Sequence, residues 1–143
     1  MEGHVMECYS HKVQYYETDQ MQIVHHSNYI RWFEEARTYL LDEIGFSYQR
    51  MEDEGIMIPV LAVNAEYKSM TRFGETVLIE AAVKQFTGIK LIMEYTVRDK
   101  ETQEVRCVGE TKHAFIDEKT YRPMSLKRKH VELYALFNGL LQE

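Results

Sequence analysis

YYETDQMQIVHHSNYIRWFEEAR, residues 15–37, decides how the rest of the chain is arranged. It begins as a strand and ends as a helix, and the short connection between them carries Asp19, His25 and His26. From Tyr29 onward the apolar residues Tyr29, Trp32, Phe33, Ala36, Leu40 and Ile44 recur at helical spacing, while Arg31, Glu34, Thr38 and Asp42 take the opposite face. A stripe of so many large side chains has to be covered by something large, such as a sheet. The pattern predicts a helix from about Asn28 to Ile44, capped by Ser27 or Asn28 and followed by Gly45 just past its end. The start of that helix offers free backbone N–H groups and a partial positive charge, and Asp19 lies a few residues upstream. A carboxylate beside such a helix end suits acyl-group hydrolysis: one attacks or activates water, the other stabilises the developing oxyanion.

Before this stretch, residues from about Glu7 to Tyr16 read as a strand, with Val13 and Tyr15 on one side. After it, Ser47 to Glu54 reads as a short helix capped by Ser47 and stopped by Gly55. The period then changes to alternation. Met57 to Lys68 places Leu61, Val63, Ala65 and Tyr67 on one face, and Glu75 to Phe86 does the same with Val77, Ile79, Ala81 and Val83. Ile89, Leu91, Met93, Tyr95 and Val97 alternate with polar residues, Asp99 to Gln103 forms a turn, and Glu104 to Asp117 is the last strand. Glu118 to Pro123 is a loop, and Lys129 to Leu141 is a closing helix. The order β-α-(α)-β-β-β-β-α, with four consecutive strands, reads as an antiparallel meander with one long helix packed across it.

Length and composition limit the possibilities. A chain of 143 residues fits one domain over residues 1–143, and 45% hydrophobic with 28% charged residues is a globular composition. A net charge of −6 argues against a general nucleic-acid binder, although local lysines and arginines can still hold phosphates. The first ten residues, MEGHVMECYS, have neither a basic flank nor an apolar run, and no segment approaches membrane-spanning length. The expectation is a cytoplasmic protein, not inserted in a membrane, whose Cys8 and Cys107 are ordinary reduced thiols outside any metal spacing. Asp19 with His25 and His26 supplies no third or fourth ligand at sensible spacing, so no metal is expected.

Residues 15–37 resemble the 4-hydroxybenzoyl-CoA thioesterase family of hotdog-fold proteins, and within it the Tol–Pal-associated acyl-CoA thioesterases. That family's run of Thr-Asp, Gly, two β-branched residues, a His and a helix-opening Tyr corresponds here to Thr18-Asp19, Gln22, Ile23-Val24, His26 and Tyr29, followed by Trp32-Phe33-Glu34-Glu35-Ala36-Arg37. Gln22 stands where the family has a Gly that would favour a positive φ or a close approach of substrate. The resemblance implies an α+β hotdog fold, an antiparallel sheet wrapped around the long central helix. It implies hydrolysis of an acyl-CoA to free acid and CoA, with Asp19 as nucleophile or general base. The backbone N–H of His26 would be an oxyanion donor and its side chain would orient water or substrate. Tyr29 and Arg72 are the implied substrate contacts, Arg72 because relatives often hold a basic residue in that turn. Lys68 and the Lys127-Arg128-Lys129 run are further phosphate candidates. No cofactor is implied apart from the coenzyme A of the substrate, and the chain is expected to self-associate as a homodimer or tetramer.

Other readings stay open at this point. Taken alone, Asp19 is an Asx-turn residue before it is a catalyst, and His26 is an ordinary polar residue at a helix start. Glu35 is expected to pair with Arg31 or Arg37, or to face solvent. An acyl carrier protein thioesterase and a non-catalytic acyl-CoA-binding module share the same fold.

Overall fold

The computed structural model describes residues 8–141. Elements follow in the order β1 (Tyr9–Lys12), a 3-10 turn (Tyr15–Glu17), α1 (Ser27–Glu43), α2 (Tyr48–Asp53), β2 (Ile56–Met57), β3 (Val60–Tyr67), β4 (Thr76–Phe86), β5 (Lys90–Asp99), β6 (Val105–Ala114), β7 (Ile116–Asp117), α3 (Leu126–Lys129) and α4 (Val131–Gly139). Five strands form one antiparallel sheet in the order β1-β4-β5-β6-β3, and β2 pairs with β7 in a small second sheet. The helix α1 lies against the large sheet, its Tyr29, Trp32, Phe33, Ala36, Leu40 and Leu41 buried against Val77, Ile79, Met93, Tyr95 and Val97. The alternation along β5 therefore appears as a strictly inward set, Leu91, Met93, Tyr95 and Val97.

The centre of the helix–sheet contact depends on a missing side chain. Phe33 stacks on Tyr95 at 4.5 Å with the rings 10° from parallel. A Cβ on Gly109 would come within 2.6 Å of the Phe33 ring and 2.5 Å of the Asn64 carbonyl oxygen. Glycine at this position is what lets α1 approach β6 so closely.

Several expectations need correction. The first strand was expected from Glu7 to Tyr16; Glu7 lies outside the described residues, and the strand ends at Lys12. Gln14 N–H instead donates to Glu17 Oε1 at 2.8 Å, which curls the chain into the 3-10 turn and leaves Tyr15 exposed rather than beside the buried Val13. The meander covers β4–β5–β6 only, because β3 pairs with β6. Its link to β4 is no tight hairpin: residues 68–75 run across the site end of the molecule, and Arg106 pins them there by donating to the Met70 carbonyl at 2.6 Å and pairing with Glu75 at 3.5 Å. The N-cap of α1 is His26, with no side-chain cap, instead of Ser27 or Asn28. Asn28 is diverted, its Nδ2 donating to the Glu17 carbonyl at 2.9 Å. Gly45, just past the helix, has φ +86°, as an αL helix stop requires. Ser47 caps α2 by accepting from Arg50 N–H at 3.1 Å. The closing helix is broken in two at His130, whose φ of −139° is not helical.

β3 occupies an edge of the large sheet, with Val60, Leu61, Val63 and Tyr67 all exposed. An eight-residue edge strand carrying apolar side chains and unpaired backbone groups is a template for pairing with another chain.

Among the described residues, no helix is long and apolar enough to cross a membrane.

Candidate active site

Residues 18–24 form a miniature hairpin. Thr18 bridges Val24, Asp19 N–H donates to the Ile23 carbonyl at 2.9 Å, and Gln22 N–H donates to the Asp19 carbonyl at 2.9 Å. This is a three-residue loop of Gln20, Met21 and Gln22, and such loops place their last residue in the left-handed region. Gln22 has φ +64°. The family's glycine thus corresponds to a backbone position that needs positive φ, and Gln22 adopts it at a cost of about 1 kcal/mol. Replacing Gln22 by Gly is expected to raise stability by roughly 1 kcal/mol or a little less, measured by urea unfolding. A loss of stability would show that the Gln22 side chain contributes contacts outweighing the backbone strain.

Asp19 sits at the first corner of this loop and is solvent-exposed. Its Oδ1 accepts from Met21 N–H at 2.8 Å and from Ile23 N–H at 3.2 Å, the Asx-turn geometry. Its Oδ2 takes no hydrogen bond among the described residues. The turn therefore uses one carboxylate oxygen and fixes the direction of the other. The structural and chemical readings of Asp19 are both compatible with one geometry.

The hairpin is held from two sides. On one, Val24 N–H donates to the Thr71 carbonyl at 2.8 Å, Phe73 N–H donates to the Gln22 carbonyl at 3.0 Å, and Ile23 bridges Arg72. On the other, His25 N–H donates to the Glu17 carbonyl at 2.9 Å, leading directly into α1. The next residue, His26, has no hydrogen bond from its N–H among the described residues. A free N–H at the positive end of a 17-residue helix is a donor available to an oxyanion.

Asp19, His25, His26, Tyr29, Tyr67 and Met70 border an open cavity of about 600 Å³. The His25 and His26 rings lie 4.2 Å apart, and Tyr67 lies 6.1 Å from His26 and 5.3 Å from Tyr29. His25 is tied locally, its Nδ1 2.9 Å from Ser27 Oγ. Tyr29 is buried with its hydroxyl donating to Thr71 Oγ1 at 2.9 Å, so it presents its ring rather than its hydroxyl to the cavity. Burial pushes that phenol above its ordinary range, which keeps it a neutral donor. Arg72 is exposed on the neighbouring turn and its guanidinium makes no ion pair among the described residues. It does not border the cavity, whereas Lys68 does and also pairs with Glu66 at 2.9 Å. The run Lys127–Lys129 lies in α3, also away from that cavity.

Of the two expectations for Glu35, pairing with Arg31 or Arg37 is not seen, while its side chain is 43% exposed. Its Oε1 accepts from Tyr9 OH at 2.6 Å and lies 3.7 Å from His11 Nδ1. Arg37 turns inward, donating to Tyr95 OH at 3.0 Å. Among the described residues, no three His, Cys, Asp or Glu side chains are grouped to hold a metal ion. Sequence reasoning passed over Glu17, Tyr67 and Thr71. Glu17 carried a faint signal, standing three residues after Gln14 and two before Asp19; Tyr67 and Thr71 carried none, because the turn of the chain that brings them to α1 is not local.

The chain is similar in sequence and fold to known proteins. Residues 13–132 match the model of the thioesterase-like superfamily. The putative acyl-CoA thioesterase YneP of Bacillus subtilis (strain 168) is 32% identical over 126 residues, 88% of this chain and 91% of that protein. The acyl-CoA thioester hydrolase YbgC of Escherichia coli O157:H7 is 27% identical over 90 residues, 63% of this chain and 67% of that protein. Among solved structures, a DHNA-CoA thioesterase from Staphylococcus aureus superposes with a TM-score of 0.87 at 30% identity, covering 92% of this chain and 88% of that one. With the helix-wrapping sheet in place, the chain belongs to the thioesterase-like superfamily and is a hotdog-fold thioester hydrolase.

Proposed function

We propose that Asp19 and the N-terminus of α1 act together on the thioester carbonyl of an acyl-CoA. The observation that carries this reading is that Asp19 and His26 border one cavity and that, among the described residues, neither Asp19 Oδ2 nor the His26 N–H is hydrogen-bonded. The thioester oxygen accepts from His26 N–H, where the helix end stabilises the negative charge of the tetrahedral intermediate. Asp19 Oδ2 either attacks the carbonyl carbon, so that breaking the C–S bond releases CoA thiolate and leaves an acyl-Asp19 anhydride that water hydrolyses to the free acid, or takes a proton from the water that attacks, so that breaking the C–S bond gives the free acid and CoA thiolate directly. The His26 ring, exposed at the cavity, orients that water or the substrate.

The acyl group occupies the space between Tyr29, Tyr67 and the His26 ring, and an aromatic acyl group fits it best. The rings of Tyr29, Tyr67 and His26 along this space favour a flat π system over a flexible alkyl chain. The S. aureus relative, a DHNA-CoA thioesterase, supports the same preference. Outside the cavity, Arg72, whose guanidinium makes no ion pair among the described residues, contacts a CoA phosphate. Arg72→Ala is expected to raise KM about tenfold with kcat nearly unchanged, since a remote phosphate contact is made equally in ground and transition states. A fall in kcat at constant KM would remove Arg72 from that role.

The enzyme works as a homodimer in the cytoplasm, a second copy pairing along the exposed β3 edge. Tyr67 ends that strand and borders the cavity, so the partner would lie beside the cavity mouth. Light scattering should then give twice the 17.0 kDa chain mass or a multiple of that dimer. The activity is tested by thiol release from aromatic and aliphatic acyl-CoAs of several lengths and from the matching acyl carrier protein thioesters. Preferential turnover of aromatic acyl-CoAs supports the reading. Turnover of carrier-protein thioesters alone would reassign the substrate, and saturable binding without thiol release would make the chain a binding module.

A further inference from the structure

Glu17 is a buried carboxylate that neither attacks nor contacts substrate in the reading above, yet the site is built around it. Its Oε1 accepts from Gln14 N–H at 2.8 Å and its Oε2 from Trp32 Nε1–H at 2.9 Å. His11 Nε2 lies 2.8 Å from Oε1 and 3.1 Å from Oε2. Its backbone carbonyl accepts from His25 N–H at 2.9 Å and from Asn28 Nδ2 at 2.9 Å. One residue therefore holds the end of β1, the 3-10 turn, the return arm of the Asp19 hairpin and the first turns of α1. Burial pushes its carboxyl up, but the hydrogen bonds from Gln14, His11 and Trp32 outweigh that and hold it below the ordinary glutamate range. An ionised buried carboxylate saturated with donors is a rigid anchor, because every donor released from it would be left unpaired.

Two reactive elements follow this anchor in the chain. Asp19 follows Glu17 by two residues, and His26, the oxyanion donor, follows the His25 amide that Glu17 holds. We infer that Glu17 is a positioning residue, fixing the distance and angle between the Asp19 carboxylate and the N-terminus of α1, with His11 as its immediate partner. His11 is in turn bracketed by Glu35, and Glu35 by Tyr9. This inference rests on the thioester hydrolysis proposed above, so its test needs one readout that is independent of turnover.

The variants are Glu17→Gln and Glu17→Ala, assayed with benzoyl-CoA, with amide hydrogen exchange measured alongside. Trp32 and Gln14 donate to different oxygens of Glu17, so Gln keeps an acceptor for only one of them and loses the charge facing His11; Ala loses every side-chain bond. The expected result is a kcat about tenfold lower for Glu17→Gln and about a hundredfold lower for Glu17→Ala, each with KM within threefold of wild type. Exchange at the Asp19 and Gln22 amides should accelerate at least roughly tenfold in Glu17→Ala, with the β4–β5 amides unchanged. The single tryptophan, Trp32, gives one indole N–H resonance, which should move in both variants as its acceptor changes. Wild-type kcat in a folded Glu17→Ala, or an effect confined to KM, would overturn the inference. Should Glu17→Ala fail to fold, an unchanged kcat in Glu17→Gln would overturn it equally. If wild type itself releases no thiol from any acyl-CoA, the proposed function fails, and hydrogen exchange at Asp19 and Gln22 alone decides whether Glu17 fixes the hairpin.

Discussion

Asp19→Asn is expected to lower kcat on the order of 10³-fold while leaving the melting temperature within about 2 °C of wild type. The two halves of that expectation come from the two carboxylate oxygens. Oδ1 holds the turn through the Met21 and Ile23 amides, and an asparagine Oδ1 accepts the same two bonds. Oδ2 becomes an amide nitrogen, which can neither attack a carbonyl nor take a proton from water. Activity and stability therefore separate in this variant, as they would not at a merely structural aspartate. Steady-state thiol release and a thermal melt on the same preparation check it. Retention of most of the activity would discard Asp19 as the catalytic carboxylate, and a large drop in melting temperature would mean the turn needs the charge itself.

The largest expected effect on stability is at Gly109, which lies in the helix–sheet contact and does not border the cavity. Gly109→Ala places a methyl group 2.5 Å from the Asn64 carbonyl oxygen and 2.6 Å from the Phe33 ring. The Asn64 carbonyl is backbone in the paired strand β3, directly beside Gly109, and cannot swing away. Phe33 is fully buried and stacked on Tyr95, so it has no empty space to enter. Relief requires α1 to lift from the sheet, and overpacking of this kind costs about 3 kcal/mol. The expected drop in melting temperature is roughly 10 °C. A change below about 2 °C would show that the helix–sheet contact is looser than the stacked Phe33–Tyr95 pair suggests.

The elements most legible in the sequence were those specified by local periodicity. The buried stripe of α1, the inward set of β5 and the caps at Ser47 and Gly45 all follow from spacing and from single-residue conformational preference. What escaped was specified by distant parts of the chain. β3 alternates as any strand does, and nothing in its own residues says that it pairs with β6 instead of β4. That choice is made by residues 68–75, which Arg106 and the Thr18–Val24 hairpin hold across the site. The early end of β1 depends on Glu17 reaching back to Gln14, a contact between polar residues that period-two reasoning ignores.

The site divides in the same way. The resemblance singles out Asp19, His26 and Tyr29, and the structure brings all three to one cavity. Arg72 stands one bridge away from the hairpin rather than on the cavity wall. Gln22 shows how a departure from the family can leave the backbone geometry intact: the loop still takes positive φ there, carried by a residue that bears the strain. Glu17 was missed because a buried acid in a Tyr-rich segment looks like surface until its donors are known.

The most direct measurement is a crystal structure with a thioether analogue of benzoyl-CoA, which keeps the carbonyl but cannot be hydrolysed. The account predicts the analogue's carbonyl oxygen about 3 Å from the His26 N–H, with Asp19 Oδ2 facing the carbonyl carbon and the aromatic ring between Tyr29 and Tyr67. A carbonyl bound away from the start of α1, with Asp19 Oδ2 still turned to solvent, would contradict it.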